Sequence, residues 1–230
     1  MNSSGKSYTL ARLRTAFMRA FFSLLYNQFA WTYDLVAVVV SVGMWTGWVK
    51  SVLPYLKGPN ILEVGHGPGH LQAALKKQAA RIPRDLSVTG LDKSKQMGRL
   101  ARRRLARQGL DFNLVRGDSQ KLPFPDESFN QVVATFPSEY ISSRETLEEV
   151  RRVLLPGGSF VILPVAWITG KSPHQLLAAR LFQVTGQAPQ WDDRYLEPAI
   201  KHGFEARVER VAFPDSQVLV LIITKPEKPS

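Results

Sequence analysis

The spacing of hydrophobic and polar residues changes along the chain. From about residue 60, short runs of β-branched residues alternate with segments of helical spacing, which is typical of a parallel sheet with crossover helices. The pattern predicts strands at 60–64, 86–91, 112–115, 131–136, 159–165, 205–213 and 217–224, and helices at 70–80, 94–108, 143–155 and 192–202. We expect Pro156-Gly157-Gly158 to stop the third helix. The chain therefore predicts an α/β fold with a seven-stranded, mostly parallel sheet and helices on both faces.

Two segments stand outside this alternation. Residues 1–56 precede the first strand and have helical patterns, and residues 172–186 add a helix after the fifth strand. Because open α/β sheets bind ligands beyond the carboxyl ends of their strands, both segments are candidates for a lid or an acceptor site. We therefore divide the chain into an N-terminal helical extension, 1–56, and one domain, 57–230, with a helical insertion at 172–186.

A glycine cluster lies at the first strand-to-helix turn. Gly65-His66-Gly67-Pro68-Gly69 lets the backbone approach a ligand, and the following helix offers free amides. Asp92 ends the next strand, where a carboxylate can accept hydrogen bonds from ribose hydroxyls. The glycine spacing is not that of dinucleotide-binding turns, because the third glycine comes one residue too early. The pattern therefore favours another adenosine-containing ligand.

Four motifs in this order resemble those of class I S-adenosylmethionine-dependent methyltransferases. They are Ile61 to His70, Thr89 to Met97, Gly117 to Phe129 and Glu149 to Gly158. The resemblance implies a Rossmann-like fold and S-adenosyl-L-methionine as the cofactor. A sulfonium is already an activated electrophile, so such a protein needs to align its acceptor and does not need a catalytic triad or a metal.

The resemblance also implies a set of cofactor-binding residues. They are Tyr33, Glu63, Gly65, His66, Gly67, Gly69, Asp92, Lys93, Asp118, Ser119, Thr135 and Phe136. The glycine-turn amides would lie against the methionine part, with Glu63 at its amino end. Asp92 would hold the ribose, and Lys93, Asp118 and the backbone of Ser119 would surround the adenine. Thr135 and Phe136 would border the sulfonium. For His66, a structural role in the backbone turn and a catalytic role both stay open.

The resemblance extends upstream of the domain. Tyr26 to Asp34 and Val40 to Trp45 are similar to the opening of ubiquinone/menaquinone C-methyltransferases and bacterial phospholipid N-methyltransferases. In those families the segment covers the cofactor and helps form the acceptor pocket. Tyr26 and Tyr33 are therefore candidates for the acceptor pocket. Tyr140, an aromatic residue after the fourth strand, is a third candidate. The alternative is that these aromatic residues belong to the hydrophobic core.

Charge is concentrated in two places. The formal net charge is +11, and all of this excess comes from residues 1–33 and 93–110, which contain bases and no acids. The first patch lies on a segment with Phe and Leu at helical spacing, which is typical of a helix at a membrane interface. The second includes Arg99, Arg103 and Arg107 on one helix face, where like charges repel unless an anionic surface compensates them. We expect an anionic membrane surface as a partner.

The composition and the apolar runs of the chain indicate where the protein is located in the cell. There is no cysteine, and the longest uncharged apolar run, 35–49, is too short and too interrupted to span a bilayer. We expect a cytoplasmic protein, attached peripherally to the inner face of the membrane. Nucleic acid is disfavoured as a partner, because no RNA-binding module is recognisable and the end of the fourth strand, Thr135 to Tyr140, lacks the motif of base-amine methylases.

The sequence leaves two lipids as candidates for the methyl acceptor. Many aromatic residues and no obvious base favour methylation of a phospholipid amine, such as phosphatidylethanolamine, because aromatic walls stabilise a growing cation. The alternative is C-methylation of a prenylated quinone or another small molecule, which needs a base to generate a phenolate. RNA methylation and a non-catalytic cofactor-binding protein are the remaining hypotheses.

Overall fold

The computed structural model describes residues 43–79, 86–173 and 193–227, together with 175, 176 and 179. Within these residues the helices are α1 (Trp45–Lys50), α2 (His70–Ala79), α3 (Lys95–Arg107), α4 (Arg144–Val153) and α5 (Glu197–Lys201). The strands are β1 (Asn60–Val64), β2 (Ser87–Asp92), β3 (Asn113–Arg116), β4 (Phe129–Thr135), β5 (Leu154–Ile168), β6 (Glu205–Phe213) and β7 (Ser216–Thr224).

The seven strands form one mixed sheet in the order β3-β2-β1-β4-β5-β7-β6. The first five are parallel to one another, and β7 runs antiparallel to both β5 and β6. The chain thus places β1 at the centre of the parallel part, between β2 and β4. Because the order reverses at β1, the crevice beyond its carboxyl end is where such a sheet binds ligands. The predicted seven-stranded, mostly parallel sheet is confirmed.

Each face of the sheet is covered by its own apolar cluster. On one face, Trp48 of α1 and Leu71 of α2 pack with Ile61 of β1. On the other face, Leu147 of α4 packs with Leu62, the next residue of β1. Successive residues of a strand point to opposite faces, so the central strand is apolar on both sides. The predicted placement of helices on both faces is confirmed.

Only the end of the predicted N-terminal extension, from residue 43, lies within the described residues. There α1 is anchored to the sheet through Trp48, which is fully buried and donates an indole hydrogen bond of 2.8 Å to the hydroxyl of Ser216. Ser216 begins β7, so α1 is fixed to the antiparallel half of the sheet. The division at residue 56 stays a prediction.

Two helix ends differ from their predicted positions. The prediction that α4 reaches residue 155 is wrong, because it ends at Val153 and β5 begins at the next residue. The Pro156-Gly157-Gly158 segment belongs to β5 and pairs with Lys225 through bonds at Gly157 and Gly158, which competes with continuing the helix. The predicted helix at 192–202 is a 3-10 turn, Asp193–Leu196, followed by the short α5.

Most of the predicted insertion at 172–186 lies outside the described residues. Among the helices of the described ranges, none combines the length and the apolar character that crossing a membrane requires.

Candidate active site

The glycine turn joins β1 to α2 in a conformation that requires glycine at three positions. Gly65, Gly67 and Gly69 have φ values of +73°, +52° and +83°, a left-handed region that costs other residues about 1–2 kcal/mol. The amides of Gly65 and His66 both donate to the carbonyl of Leu91, at 2.8 and 3.2 Å. The turn is therefore fastened to β2.

The three glycines differ in what surrounds them. A Cβ at Gly65 would lie 2.5 Å from the hydroxyl oxygen of Tyr140, and one at Gly69 would lie 3.0 Å from the Cβ of Ala101 on α3. A Cβ at Gly67 would meet nothing within 4 Å. Neighbouring residues therefore close the turn at Gly65 and Gly69, whereas no atom of the described residues fills the space beside Gly67, which is itself buried. The structure also brings Tyr140, a predicted acceptor-pocket residue, to this turn.

Asp92 ends β2 beside the turn and is held by two backbone amides. Its side chain is buried, with one carboxylate oxygen accepting from the amide of Gly67 at 2.9 Å and the other from the amide of Ser94 at 2.8 Å. The hydroxyl of Ser94 in turn caps α3 by accepting from the amide of Met97. Each carboxylate oxygen keeps a second lone pair, so Asp92 is positioned to accept from ribose hydroxyls as well.

Lys93 and Asp118 form an ion pair at the ends of β2 and β3. The ammonium of Lys93 donates to a carboxylate oxygen of Asp118 at 2.6 Å, and this hydrogen bond lowers the pKa of Asp118. The second oxygen of Asp118 accepts from the amide of Gln120. Ser119 is buried and its hydroxyl lies 3.2 Å from that of Thr146, so its side chain faces α4. The two residues predicted around the adenine are thus brought together, with Asp118 held in its charged form.

Glu63 lies almost fully buried at the end of β1. One of its carboxylate oxygens accepts a 2.8 Å hydrogen bond from the side-chain amide of Gln72. Burial raises the pKa of Glu63 to about 8, and the negative charge of Asp92 adds to this, whereas the Gln72 hydrogen bond opposes it. Glu63 is therefore largely protonated at neutral pH when no cation faces it.

His66 is buried within the turn. Its Nδ1 lies 2.7 Å from the carbonyl oxygen of Gly67, and because a carbonyl can only accept, Nδ1 carries the proton and donates. Burial lowers the pKa of His66, against the opposing effect of Asp92. A neutral imidazole bonded to the backbone of the turn favours the structural role among the two that the sequence left open.

Phe136 follows β4 with a φ of +48°, which is unusual for a residue other than glycine. Its amide donates to the carbonyl of Leu163 at 2.7 Å, and its ring stacks on Trp45 with centroids 4.4 Å apart. The ring thus faces α1. Thr135 is half-buried as the last residue of β4, and backbone strain at a strand end is typical of functional sites.

Sequence reasoning missed two residues that contact the turn and assigned two that the structure does not describe. Gln72 bonds Glu63, and the guanidinium of Arg104 donates to the carbonyl of Pro68 at 2.6 Å. A polar residue beside Leu71 on the buried side of α2 was a signal for Gln72, whereas Arg104 was taken as part of a charged surface. Tyr26 and Tyr33 lie outside the described residues, so their roles stay predictions.

These residues fit the chemistry of S-adenosyl-L-methionine. The unfilled space beside Gly67 suits the methionine part, Glu63 suits its cationic amino end, and Asp92 suits the ribose. The carboxylate of Asp118 suits an exocyclic amine. The residues predicted to bind the cofactor therefore lie, within the described part of the chain, at the carboxyl ends of β1, β2, β3 and β4.

Comparison with known proteins agrees with this geometry. Residues 61–158 match the family described as "Methyltransferase domain". The chain is 36% identical over 143 residues to the demethylmenaquinone methyltransferase of Thermotoga maritima, a match that covers 60% of this chain and 59% of that protein. It is 28% identical over 188 residues to the ubiquinone/menaquinone biosynthesis C-methyltransferase of Cupriavidus taiwanensis, covering 77% of this chain and 75% of that protein.

A similar fold occurs in a solved structure from Methanococcus maripaludis, assigned as an S-adenosyl-L-methionine-dependent methyltransferase. The TM-score is 0.64 with 18% identity, and the match covers 89% of this chain and 95% of that one. At this identity the likeness concerns the fold alone. The match to the Thermotoga maritima relative spans about three fifths of that protein's length.

Residues 61–158 match a methyltransferase domain, the fold is that of S-adenosyl-L-methionine-dependent methyltransferases, and the chain resembles the ubiquinone/menaquinone C-methyltransferases. The resemblance, the fold and the cofactor predicted from the four sequence motifs are thereby confirmed.

Proposed function

We propose that this protein transfers a methyl group from S-adenosyl-L-methionine to a ring carbon of a prenylated quinol at an anionic membrane surface. The observation that carries this proposal is the 36% identity to a demethylmenaquinone methyltransferase across 143 residues. It favours the quinone alternative over the phospholipid amine that the sequence alone favoured.

The packing of two aromatic residues also weakens the amine hypothesis. That hypothesis depends on aromatic walls around a growing cation, and α1 contributes two of the chain's aromatic residues, Trp45 and Trp48. Trp48 is fully buried and bonded to Ser216, and Trp45 stacks on Phe136. These rings pack into the apolar cluster beneath α1, so they are not available as walls of an open pocket.

The residues of this chain act by binding and orientation. When bound, S-adenosyl-L-methionine supplies a methyl group on a positively charged sulfur, already activated for transfer. Asp92 and the backbone at Gly67 fix its position, and the fastening of the turn to β2 keeps that position constant. Tyr140, whose hydroxyl lies against Gly65, is the described side chain that we assign to orient a hydroxyl of the acceptor ring.

The exposed face of α3 supports attachment to an anionic surface. Its buried face consists of Met97, Ala101 and Leu105. The bases that extend into solvent from this helix are Lys95, Arg99, Arg102, Arg103 and Arg107. The helix contains no acidic residue. Each base near an anionic leaflet contributes about 1 kcal/mol, so several together suffice for peripheral binding.

The acceptor is tested by offering both lipids to one enzyme preparation. The purified chain is incubated with methyl-labelled S-adenosyl-L-methionine and anionic vesicles that contain either reduced demethylmenaquinone or phosphatidylethanolamine. We expect label on the quinol ring and none on the amine. An Asp92→Asn variant is the matched control and should lose the transfer. Label on phosphatidylethanolamine alone would reverse the assignment.

Membrane attachment is tested by flotation with vesicles that contain or lack anionic lipid. In one variant Arg99, Arg102, Arg103 and Arg107 are changed to Gln. In a charge-matched control four exposed bases outside α3, Lys57, Lys201, Arg207 and Arg210, are changed in the same way. We expect the α3 variant to lose most of its binding to anionic vesicles and the control to keep it. Equal loss in the two variants would contradict a specific role for α3.

A further inference from the structure

Glu63 and Gln72 form an isolated polar pair beneath the glycine turn. Both side chains are almost completely buried, and the amide nitrogen of Gln72 lies 2.8 Å from a carboxylate oxygen of Glu63. Among the described residues, the amide oxygen of Gln72 has no hydrogen-bond partner. A buried amide oxygen without a donor is uncommon in native proteins and requires an explanation.

The groups around the pair offer no compensating cation. On β2, Gly90 is the register partner of Glu63, and a Cβ at Gly90 would lie 3.1 Å from the amide nitrogen of Gln72. Asp92, at the end of the same strand, is an acid. In the turn, His66 is buried and bonded to the backbone, and on β4 the register partner is Val133. A carboxylate at Glu63 therefore faces a second acid and no base among the described residues.

A side-chain amide can serve either protonation state of a carboxyl group. Its N–H donates to a carboxylate, whereas after a half-turn its oxygen accepts from the O–H of the neutral acid. In the structure the N–H of Gln72 faces Glu63, and it can donate to a carboxylate or to the carbonyl oxygen of the neutral acid. Gln72 thus provides one hydrogen bond to Glu63 in both states, and its unsatisfied oxygen is an acceptor that the O–H of the acid can use after a half-turn.

We propose that Glu63 holds a proton in the cofactor-free protein and releases it to solvent when the cationic cofactor binds, while the Gln72 amide keeps a hydrogen bond to the carboxyl group in both states. The O–H bond of Glu63 breaks, its electron pair stays on the carboxylate, and the proton leaves to water. This inference rests on the proposed cofactor site and adds to it a coupled protonation step, with Gln72 as the positioning residue.

Electrostatics agree with this geometry. Burial raises the pKa of Glu63 to about 8, so the neutral acid predominates at pH 7. A cation placed at the amino end of the cofactor site favours the carboxylate and lowers that pKa. Cofactor affinity is then expected to rise by up to about tenfold per pH unit below pH 8, because binding is linked to the loss of one proton.

Calorimetry on the unmodified protein measures how many protons are released when the cofactor binds. S-adenosyl-L-methionine is titrated at pH 6.5 in two buffers with different heats of ionisation, and the difference in binding enthalpy gives the number of protons released. We expect about one proton, since Glu63 is almost fully protonated at that pH. This measurement needs no variant, so a folding defect cannot obscure it.

Two variants test whether Glu63 is the group that releases the proton. Glu63→Gln keeps the shape but has no proton to release, so its binding at pH 6.5 should release none. Gln72→Leu removes the amide that lowers the pKa of Glu63, so proton release should persist to higher pH than in the unmodified protein. The conservative Gln72→Asn change retains an amide but shortens its reach, and we expect its pH profile to lie near that of Gln72→Leu.

The outcomes separate this inference from the proposed function. Cofactor binding without proton release, or equal release by Glu63→Gln, overturns the coupled step and leaves the methyltransferase proposal intact. Failure of the unmodified protein to bind S-adenosyl-L-methionine in any buffer overturns both. At pH 6.5 the cofactor's amino group is already almost fully protonated in solution, so a carboxylate beside it adds almost no further proton uptake to the comparison.

Discussion

The guanidinium of Arg104 donates a hydrogen bond to the carbonyl oxygen of Pro68. The distance is 2.6 Å, and the arginine is half-buried, whereas its neighbour Arg103 is exposed. Pro68 lies inside the glycine turn, so this bond joins α3 to the segment that receives the cofactor. Arg104 therefore differs in role from the exposed arginines beside it.

Replacing Arg104 should weaken both the fold and the cofactor site. We expect Arg104→Ala to lower the free energy of unfolding by about 1 kcal/mol, since a charge-assisted hydrogen bond to a partly buried carbonyl is lost. We also expect cofactor affinity to fall about fivefold, because the turn loses one of its attachments. Thermal unfolding and calorimetric titration measure the two effects. Arg103→Ala is the control, and equal effects in both variants would contradict a specific role for Arg104.

Replacing Gly67 should reduce cofactor affinity more than it reduces the stability of the fold. Its Cβ position is open, so in Gly67→Ala we expect only the cost of φ +52°, about 1 kcal/mol of stability. The added methyl group would occupy the open side of the turn, and we expect cofactor affinity to fall at least about tenfold. Gly98→Ala on α3, also in open space, is the control and should bind normally. Unchanged affinity in Gly67→Ala would place the cofactor elsewhere.

The sequence predicted the sheet, the glycine turn and the place of Asp92 because all three follow from local signals. Alternating apolar runs identify strands, and Asp92 could be placed because it ends a strand at a fixed distance from the glycine turn. The right-handed crossovers of a parallel sheet then bring those strand ends together. Local patterns therefore sufficed to place Gly65 to Gly69 and Asp92 in the fold, whereas Asp118 came from the resemblance to methyltransferases.

Contacts between distant segments could not be predicted in this way. Arg104 and Pro68 are 36 positions apart, and nothing in the arginine-rich pattern of α3 indicates which arginine faces inward. The end of α4 was misplaced for a similar reason, since Pro156-Gly157-Gly158 pairs with Lys225 from the far end of the chain. Such details depend on tertiary packing, which overrides local propensity.

At Phe136, replacement by glycine should destabilise the protein less than replacement by alanine, which is the reverse of the order expected at an ordinary core position. Phe136→Ala loses the stacking on Trp45 and keeps the strain of φ +48°, whereas Phe136→Gly loses the stacking but relieves the strain. We therefore expect the Gly variant to be more stable than the Ala variant by about 1 kcal/mol. Urea denaturation of the two variants measures this difference. A more stable Ala variant would mean that the backbone relaxes to a negative φ.

Glu63 should make the cofactor-free protein less stable as the pH rises. Its pKa is about 8 when folded and near 4.5 when unfolded, so between these values the folded state binds more protons than the unfolded state. The free energy of unfolding therefore falls with increasing pH across this window and levels off above pH 8. Glu63→Gln has no such proton, so its stability relative to the unmodified protein should increase from pH 6 to pH 9 by on the order of 2 kcal/mol. Urea denaturation of both proteins at the two pH values measures this change, and because every other titrating group is shared, it cancels in the comparison. A constant stability difference would mean that Glu63 is ionised in the folded protein throughout that range.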